Sequence, residues 1–370
     1  MDADINAIVA GLLRDLAFAQ TSQQKQFGYK RAASAVFYLE QPLDELYQSV
    51  QPPKIAGIGP ASIRVIREVL DSGGSPTVEQ AVAVSPNAAD ILRRRQLRHH
   101  FLSRAAVVHI LAAASEGPDV ADYHGDLQMH SEWSDGVPSL DEIVEAGINR
   151  GYAFSAVTDH SHGLKIAGGM SMADAANQRL IIDRLNTEYG DRFRLIHGIE
   201  ANIGADGTLD LSADEASEFE LVLAAPHSKL RKTDDQTDRL LAAIELPYVH
   251  VLAHPRGRIS GSRAGVAANW TRIFEAAARL SVAIEIDGDP ARQDLDYTLA
   301  RQALAAGCMF ALDSDAHTTA QFQYAETAIA HARLAGIPPD RIVNCWATDR
   351  LLEWLATRHI SSMEQASELR

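Results

Sequence analysis

The sequence has almost no cysteine. Cys308 and Cys345 are the two in 370 residues, which excludes a disulfide scaffold and a cysteine zinc finger. No apolar run approaches the roughly 18 residues that a membrane-spanning helix needs. The first stretch, MDADINAIVAGLLRDL, is acidic and amphipathic. It is not read as a secretory signal, and a cytoplasmic location is expected. There is no internal repeat, no low-complexity tract and no cysteine or serine nucleophile motif. Hydrophobic residues at 46% and charged residues at 22% exclude a disordered chain, a coiled coil and a collagen-like repeat.

What the chain has in excess is acid, unevenly placed. Residues 1–120 carry 12 Lys/Arg and 12 Asp/Glu, so the whole net charge of −15 falls on the remaining 22 basic and 37 acidic groups. An acidic body repels nucleic acid at long range, so any DNA contact must come from local features. The same acidity suits the collection of cations, although solubility alone accounts for it.

The rhythm of the chain changes near residue 117. Before it, apolar residues fall at helical spacing over 4–18, 26–39, 61–71, 88–96 and 100–115. Breaks fall at Pro42, Pro52-Pro53, Gly73-Gly74 and Pro86. After Glu116-Gly117-Pro118, short apolar runs alternate with longer amphipathic ones. Strands are predicted at Gly125–Met129, Ala153–Thr158, Arg194–Gly198, Glu220–Ala224, Tyr248–Ala253, Val282–Ile286 and Met309–Leu312. Helices are predicted between most of them, at 139–150, 173–189, 267–280 and 292–306. Such alternation predicts an α/β parallel sheet or closed barrel. Two domains are expected, a helical one over 1–115 and a barrel over 120–370.

Polar groups gather where those strands end. Gln128, His130 and Asp135 follow the first, Asp159 and His160 the second, and Glu200 the third. His227 follows the fourth and His254 the fifth, and Asp315 and His317 follow the seventh. In parallel α/β barrels the C-terminal strand ends converge on one face. One histidine after a strand is an ordinary loop residue, but strand after strand ending this way points to a common cleft. Imidazole and carboxylate together suit zinc, manganese or iron. The set exceeds what one ion uses, so two or three divalent metals sharing a bridging carboxylate are expected. His124, His197 and His250 lie before or within strands and read as structural. His99, His100 and His109 lie in the helical part and read as ordinary. In HPRGRISGSR, Arg258 and Arg263, with Arg256, are candidates to clamp a substrate phosphate.

The runs GDLQMHSEWSDG, AVTDHS, GIEANI, AAPHS, LAHPRGR and LDSDAH resemble the polymerase and histidinol phosphatase superfamily, over about residues 120–345. Trp-Ser-Asp-Gly and TDHS…IAGGM resemble the branch found at the C-terminus of bacterial family X DNA polymerases. The resemblance implies a distorted seven-stranded (β/α) barrel of the TIM type. It implies a first metal at Gln128, His130, Glu200 and Asp315, a second at Asp135, His160 and His317, and a third at Glu200, His227 and His254. Asp159 matches a carboxylate that orients a neighbouring ligand. Gln128 departs from the family's H-x-H pair, which implies a weaker site or a preference for Mn²⁺. The chemistry implied is phosphoester hydrolysis by a metal-bound hydroxide.

The stretch PKIAGIGPASIRVIR resembles a helix-hairpin-helix, in which Gly57 and Gly59 permit a tight turn and backbone N–H groups hold a DNA phosphate. Pro60 suits the first helical position but removes one donor. Residues 5–82 resemble the small helical DNA-binding domain of family X polymerases. No G-S-x-R-R signature is present, and the roughly 40 residues between the two parts are too few for a polymerase palm. Polymerisation is therefore not expected. Three readings follow: a phosphoesterase on DNA 3′ ends (a 3′→5′ exonuclease or 3′-phosphatase), a small-molecule phosphatase of the histidinol-phosphatase type, and a non-catalytic DNA-binding protein with structural metals.

Overall fold

A computed structural model describes residues 3–49, 52–114 and 116–368, with the side chains of 359–368 excepted. The chain divides into two compact units. One is Met1–Ala114 with Ile259–Arg263, and the other is Ser115–Arg258 with Ala264–Arg370.

The first unit is helical: Ile5–Ala19, Gln23–Phe37, Leu43–Leu46, Pro60–Ser72, Pro76–Ala83, Ala88–Gln96 and Arg104–Ala112. The helix Pro76–Ala83 escapes the periodicity because it is short. Its start is nevertheless written in Ser75, whose side chain accepts from Val78 N, and in Pro76 at the first helical position. The core packs Val9, Leu13 and Leu16 against Ala32, Val36, Val65, Ile66 and Ile91.

The second unit is a distorted seven-stranded parallel (β/α) barrel. Its strands are β1 (Gly125–Asp126), β2 (Phe154–Val157), β3 (Arg194–Asn202), β4 (Leu221–Ala225), β5 (Val251–Leu252), β6 (Ala283–Asp287) and β7 (Met309–Asp313). They pair in chain order, each parallel to the next. The interior is apolar, with Leu127, Phe154, Ile196, Leu223, Val251 and Ala283 in one cluster with Trp346, Leu351 and Trp354. The last two lie in the terminal helix Thr348–Glu368. Between β7 and β1 there is no ladder among the described residues. A single bridge, Met129 to Ala316, crosses that seam, with His130 N donating to Ala316 O at 2.8 Å.

Several boundaries depart from the periodicity, each for a local reason. β1 stops after Asp126 because Leu127 N donates to the Asp313 side chain at 2.8 Å instead of to a ladder carbonyl. β3 runs on to Asn202. Its first half pairs with β2 and its second half with β4, which places Glu200 inside the strand. The helix predicted from 292 begins at Tyr297, because Asp296 caps it by accepting from Thr298 N and Leu299 N. The helix predicted from 267 begins at Trp270, where Asn269 caps it.

Candidate metal centre

Each strand of the barrel delivers its polar group at the same end. Val157 is the last residue of β2, and His160 stands three positions on. His227 follows β4, and His254 follows β5. His254 and Asp315 adopt φ of +25° and +51°. Residues with a Cβ rarely hold such angles, and those that do cluster at functional sites.

The groups meet around Glu200, which is fully buried. Its Oε1 lies 2.8 Å from His254 Nε2 and 3.2 Å from His227 Nε2. Its Oε2 lies 3.0 Å from His160 Nδ1 and 3.4 Å from His130 Nε2. On the other side of His160, Asp135 Oδ1 is 3.5 Å from His160 Nε2 and 3.4 Å from His317 Nε2. His130 Nε2 also lies 3.0 Å from Asp315 Oδ1. Two overlapping sets result, His130–Asp135–His160–His317 and His160–Glu200–His227, with candidate ligand atoms within 4.8 Å of one another. The side chains of Asp135 and His317 are 35% and 31% exposed, so the cluster opens to solvent on that side.

The donor set suits divalent cations. His130 Nδ1, His160 Nδ1 and Glu200 Oε2 are buried and have no aligned hydrogen-bond partner among the described residues. Buried polar atoms are costly to leave in that state, and atoms aimed at a shared ion are not. The charges agree. Burial alone would lower His160, but Glu200 and Asp135 raise it to about 10. Burial would likewise lower His317, but Asp135 and Asp315 raise it to about 9. Burial works against the Asp135 and Glu200 carboxylates, yet the surrounding imidazoles hold both well below the usual range. Imidazoles drawn this strongly to carboxylates mark a cleft that binds positive charge.

Two expected roles, those of Arg258 and Arg263, come out differently. Asp159 stands as the resemblance implies, as an orienting carboxylate and not as a catalytic group facing the cluster. Its fully buried carboxylate accepts from Ser131 N, Ser131 Oγ and Gln178 Nε2 at 2.6–2.8 Å, and from Ser134 Oγ at 2.5 Å. With its acceptors occupied it anchors the loop that carries His130 and Asp135, and so acts as a positioning residue. Arg258 is 4% exposed. It pairs with Asp296 at 3.1 Å and donates to the carbonyls of Arg292 and Gln293 at 2.6–3.1 Å. Its guanidinium is used inside the fold and cannot serve as the substrate clamp. Arg263 bonds Ile259 through its backbone, in the segment grouped with the helical unit, and is not placed in the histidine cluster.

Gln128 is fully buried, and its amide lies on Glu285, not on His130 or Asp315. Turned so that its NH2 faces that carboxylate, it donates to both oxygens, 3.1 Å to Oε2. Gly57 has φ +87° and stands in the turn closed by Ile58 N donating to Ile55 O at 3.2 Å. Gly59 is the N-terminal cap of Pro60–Ser72.

A second tier of acids lies next to the cluster; the D-x-D spacings at 287/289 and 313/315 mark two of them as strand-end groups, while Asp126 and Glu285 carry no such mark. Asp126, Glu285, Asp287 and Asp313 are all fully buried. Burial, reinforced by repulsion from Asp313 at Asp126 and Glu285 and from Asp315 at Asp287, pushes all three well above the usual carboxylate range. Burial drives Asp313 up to about 6 against hydrogen bonds from Asn344 and Leu127 N. Period-two spacing at Glu285 and Asp287 places both on one face of β6. That was the available signal.

No family model matches the chain. It is 35% identical over 227 residues to "DNA polymerase/3'-5' exonuclease PolX" of Bacillus subtilis, a match covering 61% of this chain and 40% of that protein. It is 28% identical over 259 residues to "Probable phosphatase YcdX" of Escherichia coli, covering 67% of this chain and 100% of that one. These relatives belong to the polymerase and histidinol phosphatase superfamily, which this chain resembles. It spans 40% of the length of its polymerase relative. Among solved structures it matches histidinol phosphate phosphatase from Lactococcus lactis, complexed with zinc, L-histidinol and phosphate. That match has 17% identity and a TM-score of 0.42, over 57% of this chain and 94% of that one. Among the described residues no helix is long and apolar enough to cross a membrane.

Proposed function

We propose that this chain, a metal-dependent phosphoester hydrolase, acts on the 3′ ends of DNA as a 3′→5′ exonuclease or a 3′-phosphatase. The observation that carries the hydrolase is the convergence of His130, His160, His227 and His254 on buried Glu200. The DNA substrate is supported by the likeness to the polymerase and exonuclease relative. The Gly57–Gly59 turn before a helix adds to it, because a helix N-terminus presents backbone donors to a phosphate.

Divalent cations bound by this set supply Lewis-acid polarisation of phosphoryl oxygens and acidify a water. The residues do the rest. His130, Asp135, His160 and His317 would hold one cation, and Glu200, His227 and His254 another, with Glu200 also facing His130 beside Asp315. Glu200 is therefore the carboxylate shared between sites. Asp159 keeps the loop of His130 and Asp135 in register. The ester enters from the side of Asp135 and His317, where the cluster is open.

A small-molecule phosphatase of the histidinol-phosphatase type is the second reading. The acidity of residues 121–370 and the donor lost at Pro60 favour it. A labelled duplex with a recessed 3′ end, the same duplex ending in 3′-phosphate, and histidinol phosphate separate the two. Turnover of either DNA end by the wild type is expected, abolished in Glu200→Gln together with at least two bound metals. Turnover of histidinol phosphate with both DNA ends untouched would overturn the DNA assignment. Full metal content in Glu200→Gln would overturn the role of Glu200.

A further inference from the structure

Arg292 stands on the loop after β6, at the rim of the cleft. Its Nε lies 3.3 Å from Asp315 Oδ2, 3.7 Å from Asp287 Oδ2 and 3.8 Å from Asp289 Oδ2. In each pair Nε is the nitrogen nearest the carboxylate. The two terminal nitrogens, Nη1 and Nη2, make no hydrogen bond among the described residues, and the side chain is 22% exposed. Burial would weaken its charge, but Asp315, Asp287 and Asp289 hold its pKa above the usual arginine value. The guanidinium is thus permanently charged, tethered through one nitrogen, with its fork unused.

The loop that carries it is rigid. Asp287 and Asp294 exchange backbone bonds of 2.6 and 3.1 Å, and Arg292 N and Gln293 N both donate to Asp289 O. Arg258 holds the carbonyls of Arg292 and Gln293 from behind. Buried His331 Nε2 lies 2.7 Å from Gln293 Oε1. Gln293 itself sits at φ +46°. An arginine that served only to neutralise three carboxylates would turn its fork towards them, since paired N–H donors match a carboxylate. This one gives them its Nε and leaves the fork open.

We propose that Arg292 anchors the phosphoryl group of a phosphomonoester, its Nη1 and Nη2 taking a non-bridging oxygen that the metal centre leaves free. The proposal rests on the hydrolase reading above and narrows its substrate class. A monoester has three non-bridging oxygens and a diester has two. A cluster that occupies two of them leaves a third only in the monoester. Arg292 therefore favours a terminal phosphate, such as a 3′-phosphate end, over an internal phosphodiester. It takes the place that the sequence suggested for Arg258, while Arg258 positions it.

The probe is inorganic phosphate, titrated calorimetrically into the metal-loaded full chain. Arg292→Gln should weaken phosphate binding by about tenfold or more, the scale of a lost charge-assisted pair. Arg292→Lys, which keeps the charge and loses the fork, should fall between. For a phosphomonoester, KM should rise in step with the phosphate constant while kcat changes less. Metal content should stay the same in both variants. Equal phosphate affinity in wild type and Arg292→Gln overturns the proposal, as does a wild type that binds no phosphate. Loss of metal in both variants with unchanged phosphate affinity assigns Arg292 to charge neutralisation and also overturns it. Phosphate binding that depends on Arg292, in a protein that hydrolyses no ester, refutes the hydrolase and leaves the anchor standing.

Discussion

Replacing Arg258 by methionine tests whether this guanidinium belongs to the substrate or to the fold. The structure makes it a buried member of an ion pair with Asp296 at 3.1 Å, donating also to two backbone carbonyls. Burial lowers its pKa to about 10, so it remains charged at neutrality. Breaking a buried pair by removing one partner costs about 3–5 kcal/mol. The abandoned carbonyls of Arg292 and Gln293 would add about 1–3 kcal/mol each if they stayed dry. Two features temper the sum. Asp296 keeps Arg256 at 3.1 Å and the Thr298 hydroxyl, and methionine returns about 1 kcal/mol of apolar burial. A net loss of about 3–5 kcal/mol is expected, or about 6–10 °C in the thermal midpoint of a unit this size. The assay is a thermal or urea melt of the full chain, run beside phosphate titration. An Arg258→Met variant that melts with the wild type, yet has lost phosphate affinity, would refute the reasoning. It would return Arg258 to the substrate.

Two further outcomes follow from buried groups. Gln128→His should leave the Mn²⁺ that hydrolysis requires unchanged, because Gln128 is held by Glu285 and not by the histidine cluster; a lower Mn²⁺ requirement in the variant would return Gln128 to the metal set. His197 is 1% exposed, and neither ring nitrogen has an aligned hydrogen-bond partner among the described residues. Burial, helped by the positive charge of Arg179, lowers it from 6.5 to about 4. The unfolded chain takes up this proton below pH 6.5 and the folded chain only near 4, so stability should fall by about 3 kcal/mol across that window. His197→Leu should flatten this part of a stability-versus-pH curve, and an unchanged acid limb would show that another group governs it.

The strand ends of the barrel were legible because their chemistry is discontinuous: apolar runs stop at histidine or acid, and few structural reasons produce that repeatedly. Asp135, nine residues beyond β1, was legible as a group following the first strand, but its ligand set came only from the family pattern, since nothing local says how its loop folds back. What escaped depends on pairing across the chain. Arg258 reads as an anion clamp in HPRGR until its acceptors prove to be Asp296 and two carbonyls more than thirty residues on. Arg292 falls in the sequence at the start of a predicted helix, and only the fold sets it beside Asp315. The helical period over 292–306 was misleading for the same reason. Its first residues are spent on the loop that Asp294 and Asp287 staple, and the helix waits for the Asp296 cap. Asp159 sits beside His160 in the sequence but points to serines of another loop. Spacing does not show that turn.

The seam between β1 and β7 has a mechanical consequence. Elsewhere neighbouring strands are stitched by ladders, but here, among the described residues, the gap is crossed by one β-bridge at Met129–Ala316 and by scattered bonds such as Leu127 N to Asp313 Oδ1 and Val137 N to His317 O. The candidate ligands stand on both lips of that gap. His130 and Asp135 come from the β1 side, and Asp315 and His317 from the β7 side, with 3.0 Å between His130 and Asp315 and 3.4 Å between Asp135 and His317. A cation gripped from both lips would be a clasp as well as a reagent. Ion binding and barrel closure would then be one equilibrium seen from two ends, and chelation should loosen the barrel along the same line.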